Sequence, residues 1–256
     1  MTSRLQPLPA LGDNYIWLLA GADGDAVVVD PGEATPVFAA ARDGLRPRAV
    51  LLTHHHADHI AGTDALRERW PDLRVIAPDD DRIACATERV GDGDAIEAGA
   101  WRFRVIAIPG HTRSHVAFFG EDLLFCGDTL FSLGCGRMFE GTAPQMLDSL
   151  DRLAALPGDP RVCCGHEYTL ANAAFALTVD PDNPALRRRA REAAAQREAG
   201  APTLPARLSD ERAANPFLRV DAPAVRAAVA ARLGHAAADR AAAFAQLRRW
   251  KDDFRA

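Results

Sequence analysis

The densest chemistry in this chain lies in Thr53-His54-His55-His56-Ala57-Asp58-His59, where four of the eight histidines and an aspartate fall within six positions. Imidazoles and a carboxylate crowded this closely cost desolvation and mutual repulsion in a closed core. The segment therefore needs solvent or a bound cation. Three other places share one form, a short apolar run followed by a turn that presents a ligand-type residue. They are Pro109-Gly110-His111-Thr112, Gly127-Asp128-Thr129 and Gly165-His166-Glu167. Glycine before each ligand-type residue lets the backbone turn sharply and come close to a site. If the four preceding runs are strands of adjacent sheets, their ends can converge on one spot. No Gly-x-Ser-x-Gly nucleophile turn is present, which agrees with direct attack by an activated water.

The elements that must position these residues can be read from periodicity. Tyr15–Leu19 and Ala26–Val29 are apolar runs bounded by Gly and Asp, and read as two strands of a hairpin. Thr35–Arg42 reads as a helix, Ala49–Leu52 as a buried strand, and Ile60–Trp70 as the helix that follows the histidine loop. Arg74–Ala77 is a further strand. In Trp101–Ile108, Trp101, Phe103 and Val105 alternate with Arg102 and Arg104, as in a half-buried strand. Val116–Phe119 and Leu123–Cys126 suggest a hairpin around Gly120. Pro144–Ala155 reads as a helix and Arg161–Cys164 as a strand. Beyond about residue 170 the strand signals stop. Leu170–Val179, Ala185–Ala199, Ala222–Leu233 and Ala237–Arg255 read as helices, with a proline-rich loop around Pro202, Pro205 and Pro216. The expectation is an α/β body over residues 1–169 and an all-helical part over 170–256.

Composition narrows the function classes. At 256 residues the chain can form a large domain with a smaller companion, and its 48% hydrophobic and 25% charged content is that of a globular protein. No run approaches the length of a membrane span and the first residues lack a secretory pattern, so the expected compartment is the cytoplasm. Residues 1–179 hold 15 basic against 25 acidic side chains, and residues 180–256 hold 15 against 10. An acidic body with a basic tail argues against general nucleic-acid binding and leaves a local attraction for a small anion. The five cysteines, Cys85, Cys126, Cys135, Cys163 and Cys164, show no zinc-finger spacing and read as reduced thiols, mostly in or near the core.

The histidine loop resembles the His-x-His-x-Asp-His signature of the metallo-β-lactamase superfamily, and the later His, Asp and His follow in that superfamily's order. The resemblance implies an αββα sandwich of two mixed β-sheets with the metals at one edge. It implies that His54, His56 and His111 hold one metal ion, that Asp58, His59 and His166 hold a second, and that Asp128 bridges them. His55 then points away to support the loop, and His115 is structural rather than a ligand. His235, in the alanine-rich tail, is expected in solvent. The donor set suits two divalent ions, with zinc the leading choice and iron and manganese also compatible. Two cations sharing a water make a hydroxide available near neutral pH, which Asp58 would orient for attack.

Within that superfamily, several segments resemble the hydroxyacylglutathione hydrolases (glyoxalase II). They are Asp13-Asn14-Tyr15-Ile16-Trp17, Cys135-Gly136-Arg137-Met138-Phe139-Glu140-Gly141-Thr142, Gly165-His166-Glu167-Tyr168-Thr169, Asn215-Pro216-Phe217-Leu218-Arg219 and Arg248-Arg249-Trp250-Lys251-Asp252. The resemblance implies hydrolysis of S-(2-hydroxyacyl)glutathione thioesters such as S-D-lactoylglutathione, with Arg137, Phe139, Tyr168, Arg248 and Lys251 contacting glutathione. Nothing in the sequence demands an oligomer, so a monomer is expected. Arg248 and Lys251 are three apart on one helix and so share a side. Phe139 and Arg137 stand where some relatives have Tyr and Lys, which removes a hydroxyl and keeps a charge. A lactonase, a β-lactamase or a mononuclear iron oxygenase remains an alternative from the same superfamily. So does a non-enzymatic metal-binding protein.

Overall fold

The N-terminal strands form where apolar residues run without break. The computed structural model, which describes residues 3–42 and 44–255, places a six-stranded sheet there. Its strands are β1 (Arg4–Ala10), β2 (Asn14–Ala20), β3 (Asp25–Val29), β4 (Arg46–Leu51), β5 (Arg74–Pro78) and β6 (Glu88–Val90), in that spatial order. The first three pair antiparallel and the last four parallel, so the sheet is mixed. Strand β1 escaped the sequence reading because it contains Pro7 and Pro9, opposite Trp17 and Tyr15. It lies at the sheet edge, where a missing backbone N–H is tolerated. Strand β2 is buried along its whole length, as expected for a sheet covered on both faces. Ile16, Leu18, Val28, Val50, Leu52 and Val75 form one core cluster with Val37 and Leu66. Those last two come from helices α1 (Thr35–Ala41) and α3 (Thr63–Arg69), which cover one face.

Helix α2 (Ala57–Ile60) is separate from α3, whereas the sequence suggested one helix from Ile60 to Trp70. Gly62 accounts for the break. Its N–H donates to the Pro31 carbonyl at 2.8 Å, and a Cβ there would lie 2.4 Å from the Glu33 carbonyl carbon. The ligand-type residues Asp58 and His59 thus sit on their own helical turn, entered through His56 in extended conformation.

Four antiparallel strands follow, β7 (Ala95–Ala98), β8 (Trp101–Ala107), β9 (Val116–Gly120) and β10 (Leu123–Gly127). Strand β8 alternates as the sequence indicated, with Trp101, Phe103 and Val105 buried and Arg102 and Arg104 exposed. The β9–β10 turn is made by Glu121 and Asp122, each at φ 56°, and not by Gly120. Gly120, the last residue of β9, must be glycine because a Cβ there would meet the Arg102 carbonyl oxygen at 2.1 Å. All these elements belong to one compact unit, Met1–Ala107 with Ser114–Gly127; the second unit is Ile108–Arg113 with Asp128–Ala256.

The second unit contains the short strands β11 (Leu130–Phe131) and β12 (Gly134–Cys135), then α4 (Ala143–Ala154) and β13 (Arg161–Cys164). Helix α4 starts on a capping box in which Thr142 and Gln145 satisfy each other's backbone N–H. The remaining helices are α5 (Thr169–Val179), α6 (Pro184–Glu198), α7 (Leu208–Ala214), α8 (Pro223–Leu233) and α9 (Arg240–Asp253). Strands do not stop at residue 170, since β14 (Ala206–Arg207) pairs antiparallel with β13. The proline-rich stretch also conceals α7, too short to show a period. Leu133, Ala173, Ala176, Leu186 and Ala214 form this unit's helical core. Phe175 gathers Phe217, Trp250 and Phe254 at 5.5–5.9 Å between ring centroids. Among the described residues no helix is long and apolar enough to cross a membrane.

Candidate functional site

In the first unit, the histidine turn is fixed from behind by acceptors that a local sequence reading passes over. Asp30, just beyond β3, accepts from the Thr53 N–H at 2.8 Å and from its hydroxyl at 2.7 Å. The same carboxylate lies 3.0 Å from His59 Nδ1. An ionised carboxylate only accepts, so His59 carries its proton on Nδ1 and presents a lone pair at Nε2. The Thr53 hydroxyl, having donated to Asp30, accepts from His54 Nδ1 at 3.0 Å. His54 therefore also presents Nε2, and that atom faces His56 Nδ1 at 3.1 Å. Two imidazole nitrogens at that distance need a proton or a cation between them.

Asp58 is turned toward the same cluster. Its Oδ2 accepts from Asn14 Nδ2 at 3.1 Å and lies 3.5 Å from His59 Nε2. Gly32 makes room for this turn, since a Cβ there would sit 2.0 Å from the Asp58 carbonyl oxygen. His55 points instead to Asp80, with Nδ1 3.5 Å from Oδ2. The His115 ring is fully buried and stacks on His54 at 4.5 Å. His235 is exposed on the surface. Within this unit, Asp30, His54 and His59 bring three potential ligand atoms within 4.8 Å of one another.

In the second unit, His111, Asp128 and His166 come together. One oxygen of Asp128, Oδ2, lies 3.5 Å from His111 Nε2 and 3.2 Å from His166 Nε2. His111 Nδ1 donates to the Arg137 carbonyl at 2.8 Å, which again fixes Nε2 as the presented nitrogen. The loop that holds His111 is tied down by Ser149, whose hydroxyl donates to the Pro109 carbonyl at 2.7 Å. Gly136 is obligatory beside it, because a Cβ would lie 1.8 Å from the Asp128 carbonyl oxygen. The His166 ring stacks on Tyr168 at 4.7 Å with an interplanar angle of 4°.

The candidate substrate residues differ in exposure. Phe139 is 62% exposed and meets His111 edge-on at 5.3 Å. Tyr168 and Arg137 also reach the surface. Lys251 is partly buried, with Nζ 3.2 Å from the Ala171 carbonyl and near the Phe175 and Phe254 rings. Burial, followed by the nearby Arg248 and Arg137 charges, lowers its pKa. Arg248 is buried at 4% exposure and donates to the Cys135 carbonyl at 2.6 Å and to Asp252 at 3.2 Å. Asp252 in turn approaches Arg137 at 3.3 Å. Spacing on α9 put Arg248 and Lys251 together, but the interior takes up much of the Arg248 fork.

Of the cysteines, Cys126, Cys135, Cys163 and Cys164 are buried and Cys85 is half-buried. None is in a disulfide, and burial raises the Cys135 thiol to about 11 and lifts Cys164 higher still. The Asn215 segment also has a physical role. Asn215 Nδ2 donates to the Phe131 and Gly134 carbonyls at 3.1 and 2.9 Å. Beside it, fully buried Glu211 accepts from the Ser132 hydroxyl and the Leu133 N–H. Together they shape the turn between β11 and β12. No motif pointed to Glu211 or Asp80.

A β-sandwich body presenting imidazole and carboxylate donors at strand ends defines a class. Residues 10–166 match the model of the metallo-beta-lactamase superfamily, and the chain belongs to that superfamily, with its two mixed sheets and helical C-terminal region. Residues 167–254 match the model of the hydroxyacylglutathione hydrolase C-terminus. A hydroxyacylglutathione hydrolase of Xanthomonas axonopodis pv. citri is 62% identical over 254 residues, covering 99% of this chain and all of that one. Within the superfamily the chain belongs to the hydroxyacylglutathione hydrolase family. Among solved structures, ETHE1 from Myxococcus xanthus aligns with a TM-score of 0.65 at 26% identity, covering 99% of this chain and 91% of that one. TTHA1623 in a di-iron-bound form aligns at 0.54 and 29% identity, covering 63% and 91%.

Proposed function

We propose that the protein hydrolyses S-(2-hydroxyacyl)glutathione thioesters, S-D-lactoylglutathione among them, to a 2-hydroxy acid (D-lactate) and free glutathione, the second step of methylglyoxal detoxification. The observation that carries this reading is the full-length likeness to hydroxyacylglutathione hydrolases, helical C-terminal part included. In this reading residues 1–169 form the catalytic domain and residues 170–256 the substrate-binding domain. The protein works as a cytoplasmic monomer on a small-molecule thioester, without nucleic-acid or membrane partners.

The donor chemistry fits two divalent cations, zinc first, with iron or manganese compatible. His54, His56 and His111 would hold one, Asp58, His59 and His166 the other, and Asp128 both. When bound, such ions lower the pKa of water toward neutrality and polarise an acyl carbonyl. The chain's own residues then have distinct tasks. Asp30, Thr53 and the Arg137 carbonyl hold the imidazole tautomers that leave Nε2 of His54, His59 and His111 available. Asp58 Oδ2, steadied by Asn14, would orient the attacking water. Lys251 and Arg137 offer charge to the glutathione carboxylates, Phe139 and Tyr168 offer aromatic surface and a hydroxyl, and Arg248 completes the platform from beneath. A thiolate is a fair leaving group, so no separate general acid is needed.

The test is hydrolysis of S-D-lactoylglutathione by the purified, metal-loaded protein, followed as free thiol. Turnover abolished by a chelator and restored by added metal is the expected result. A protein that binds two metals and leaves the thioester intact would redirect the search to lactones and β-lactams.

A further inference from the structure

Asp80 lies just past the end of β5 and is 8% exposed, yet neither ligand set includes it. Its carboxylate is used on both oxygens. Oδ1 accepts from the Arg82 N–H at 3.0 Å and from Arg82 Nε at 2.8 Å. Oδ2 accepts from Arg82 Nη2 at 2.8 Å and from the Ser114 hydroxyl at 2.5 Å, and lies 3.5 Å from His55 Nδ1.

The simplest account is a turn former, an aspartate that accepts from the N–H two residues on. That account needs only Oδ1 and would leave the carboxylate in solvent. Here the second oxygen points inward, where an ion is costly unless every lone pair is used. Arg82 holds the carboxyl well below the usual carboxylate range, with Ser114 adding to the effect, so the group is an acceptor only. What surrounds it is informative, since Ser114 donates to it and the His55 ring approaches it at ion-pair distance. His55 stands between His54 and His56. Ser114 precedes His115, whose ring stacks on His54 at 4.5 Å, and Val116, whose N–H donates to the Thr53 carbonyl at 3.0 Å. One carboxylate therefore reaches both the histidine turn and the strand entry that covers it.

We propose that Asp80 is a positioning residue for the metal centre, fixing the His54–His56 backbone through His55 and the His115 cover through Ser114. The proposal rests on the metal-binding reading above. Partners outside the first ligand shell typically change metal affinity by about 10- to 100-fold when removed. Asp80→Asn keeps the shape and loses the charge; Ser114→Ala removes one of the two reaches; Ser114→Thr keeps the hydroxyl.

The experiment measures zinc affinity of the purified full-length proteins by competition with a chromophoric chelator, alongside melting of the metal-free forms and the kcat and KM of thioester hydrolysis. For Asp80→Asn we expect zinc binding at least about tenfold weaker, with kcat reduced at subsaturating metal and KM within twofold of wild type. Ser114→Ala should weaken binding by a smaller factor and Ser114→Thr should restore it. Wild-type zinc affinity in a folded Asp80→Asn protein overturns the proposal. So does a lowered melting temperature of the metal-free variant with zinc affinity intact, because Asp80 would then only brace the turn. A wild-type protein that binds no zinc, iron or manganese would sink the metal reading itself, a different outcome from either.

Discussion

The histidine turn of the first unit and the basic helix α9 of the second both crowd groups that repel one another, and the fold deals with them differently. Around His54–His59 it supplies acceptors from behind. Asp30, Thr53 and Asn14 each engage a particular atom, so the proposed ligand atoms are aimed before any cation is present. On α9 it separates two neighbours of like charge. Arg248 goes inward to the Cys135 carbonyl, and Lys251 stays within reach of solvent. A metal ligand profits from rigidity, since each misaimed donor weakens the site. A substrate anchor must instead keep donors unspent until the substrate arrives. Residues three apart on one helix face can therefore have different roles.

The sharpest way to break this comparison is at Asp128, where two imidazoles share one oxygen. Asp128→Ala should lower bound metal well below two per chain and cut turnover by roughly a thousandfold or more, equivalent to about 4 kcal/mol. Metal analysis with steady-state rates checks both. Near-normal occupancy and turnover would mean that Asp128 does not bridge. A smaller loss is expected at Asp30, which acts through His59 and Thr53. Asp30→Asn should weaken metal binding by roughly 10- to 100-fold, measured by chelator competition, with KM for the thioester little changed.

These two positions also mark what the sequence made legible. The ligand types at four strand ends could be read directly, because imidazole and carboxylate clusters have few bland uses and the apolar runs before them are clear. The acceptors behind them could not. Asp30 and Asp80 are ordinary aspartates until the chain brings residues 23 and 34 positions away onto them. The same limit applies to elements. Strand β8 announced itself by alternation, whereas β1 was hidden by Pro7 and Pro9 and made possible only by its edge position. The break between α2 and α3 depends on Gly62 meeting the backbone at Pro31 and Glu33, a contact no periodicity encodes.

Substitutions on α9 sharpen the second half of the comparison. Arg248→Ala should destabilise the protein by roughly 1–3 kcal/mol, because it strips a donor from the buried Cys135 carbonyl. Arg248→Lys should not restore it, since an ammonium cannot reproduce the fork that reaches both Cys135 and Asp252. Lys251→Ala should leave thermal stability nearly unchanged and raise KM, by about 2 kcal/mol if one charged hydrogen bond to a carboxylate is lost. Denaturant melts and KM values separate the pair. Equal behaviour in both assays would mean that burial does not distinguish their roles.

The smallest effect, and the most specific to Lys251, is on pH. Its ammonium is discouraged first by burial and then by Arg248 and Arg137, with Asp252 acting in the opposite direction, so it gives up its proton below its ordinary value of 10.5. The unfolded chain still holds that proton in the window between the lowered and the ordinary value. Over that window the unfolded state binds more protons, and the Lys251 contribution to stability improves as pH rises. Binding runs the other way. Only the ammonium attracts a carboxylate, so KM for the glutathione thioester should be flat below the lowered pKa and climb above it, by up to about tenfold per pH unit. Lys251→Arg keeps its charge throughout and should hold KM flat across the same range. A wild-type KM that stays as flat as that of the arginine variant would remove Lys251 from the substrate platform and leave Arg137 as its exposed cation.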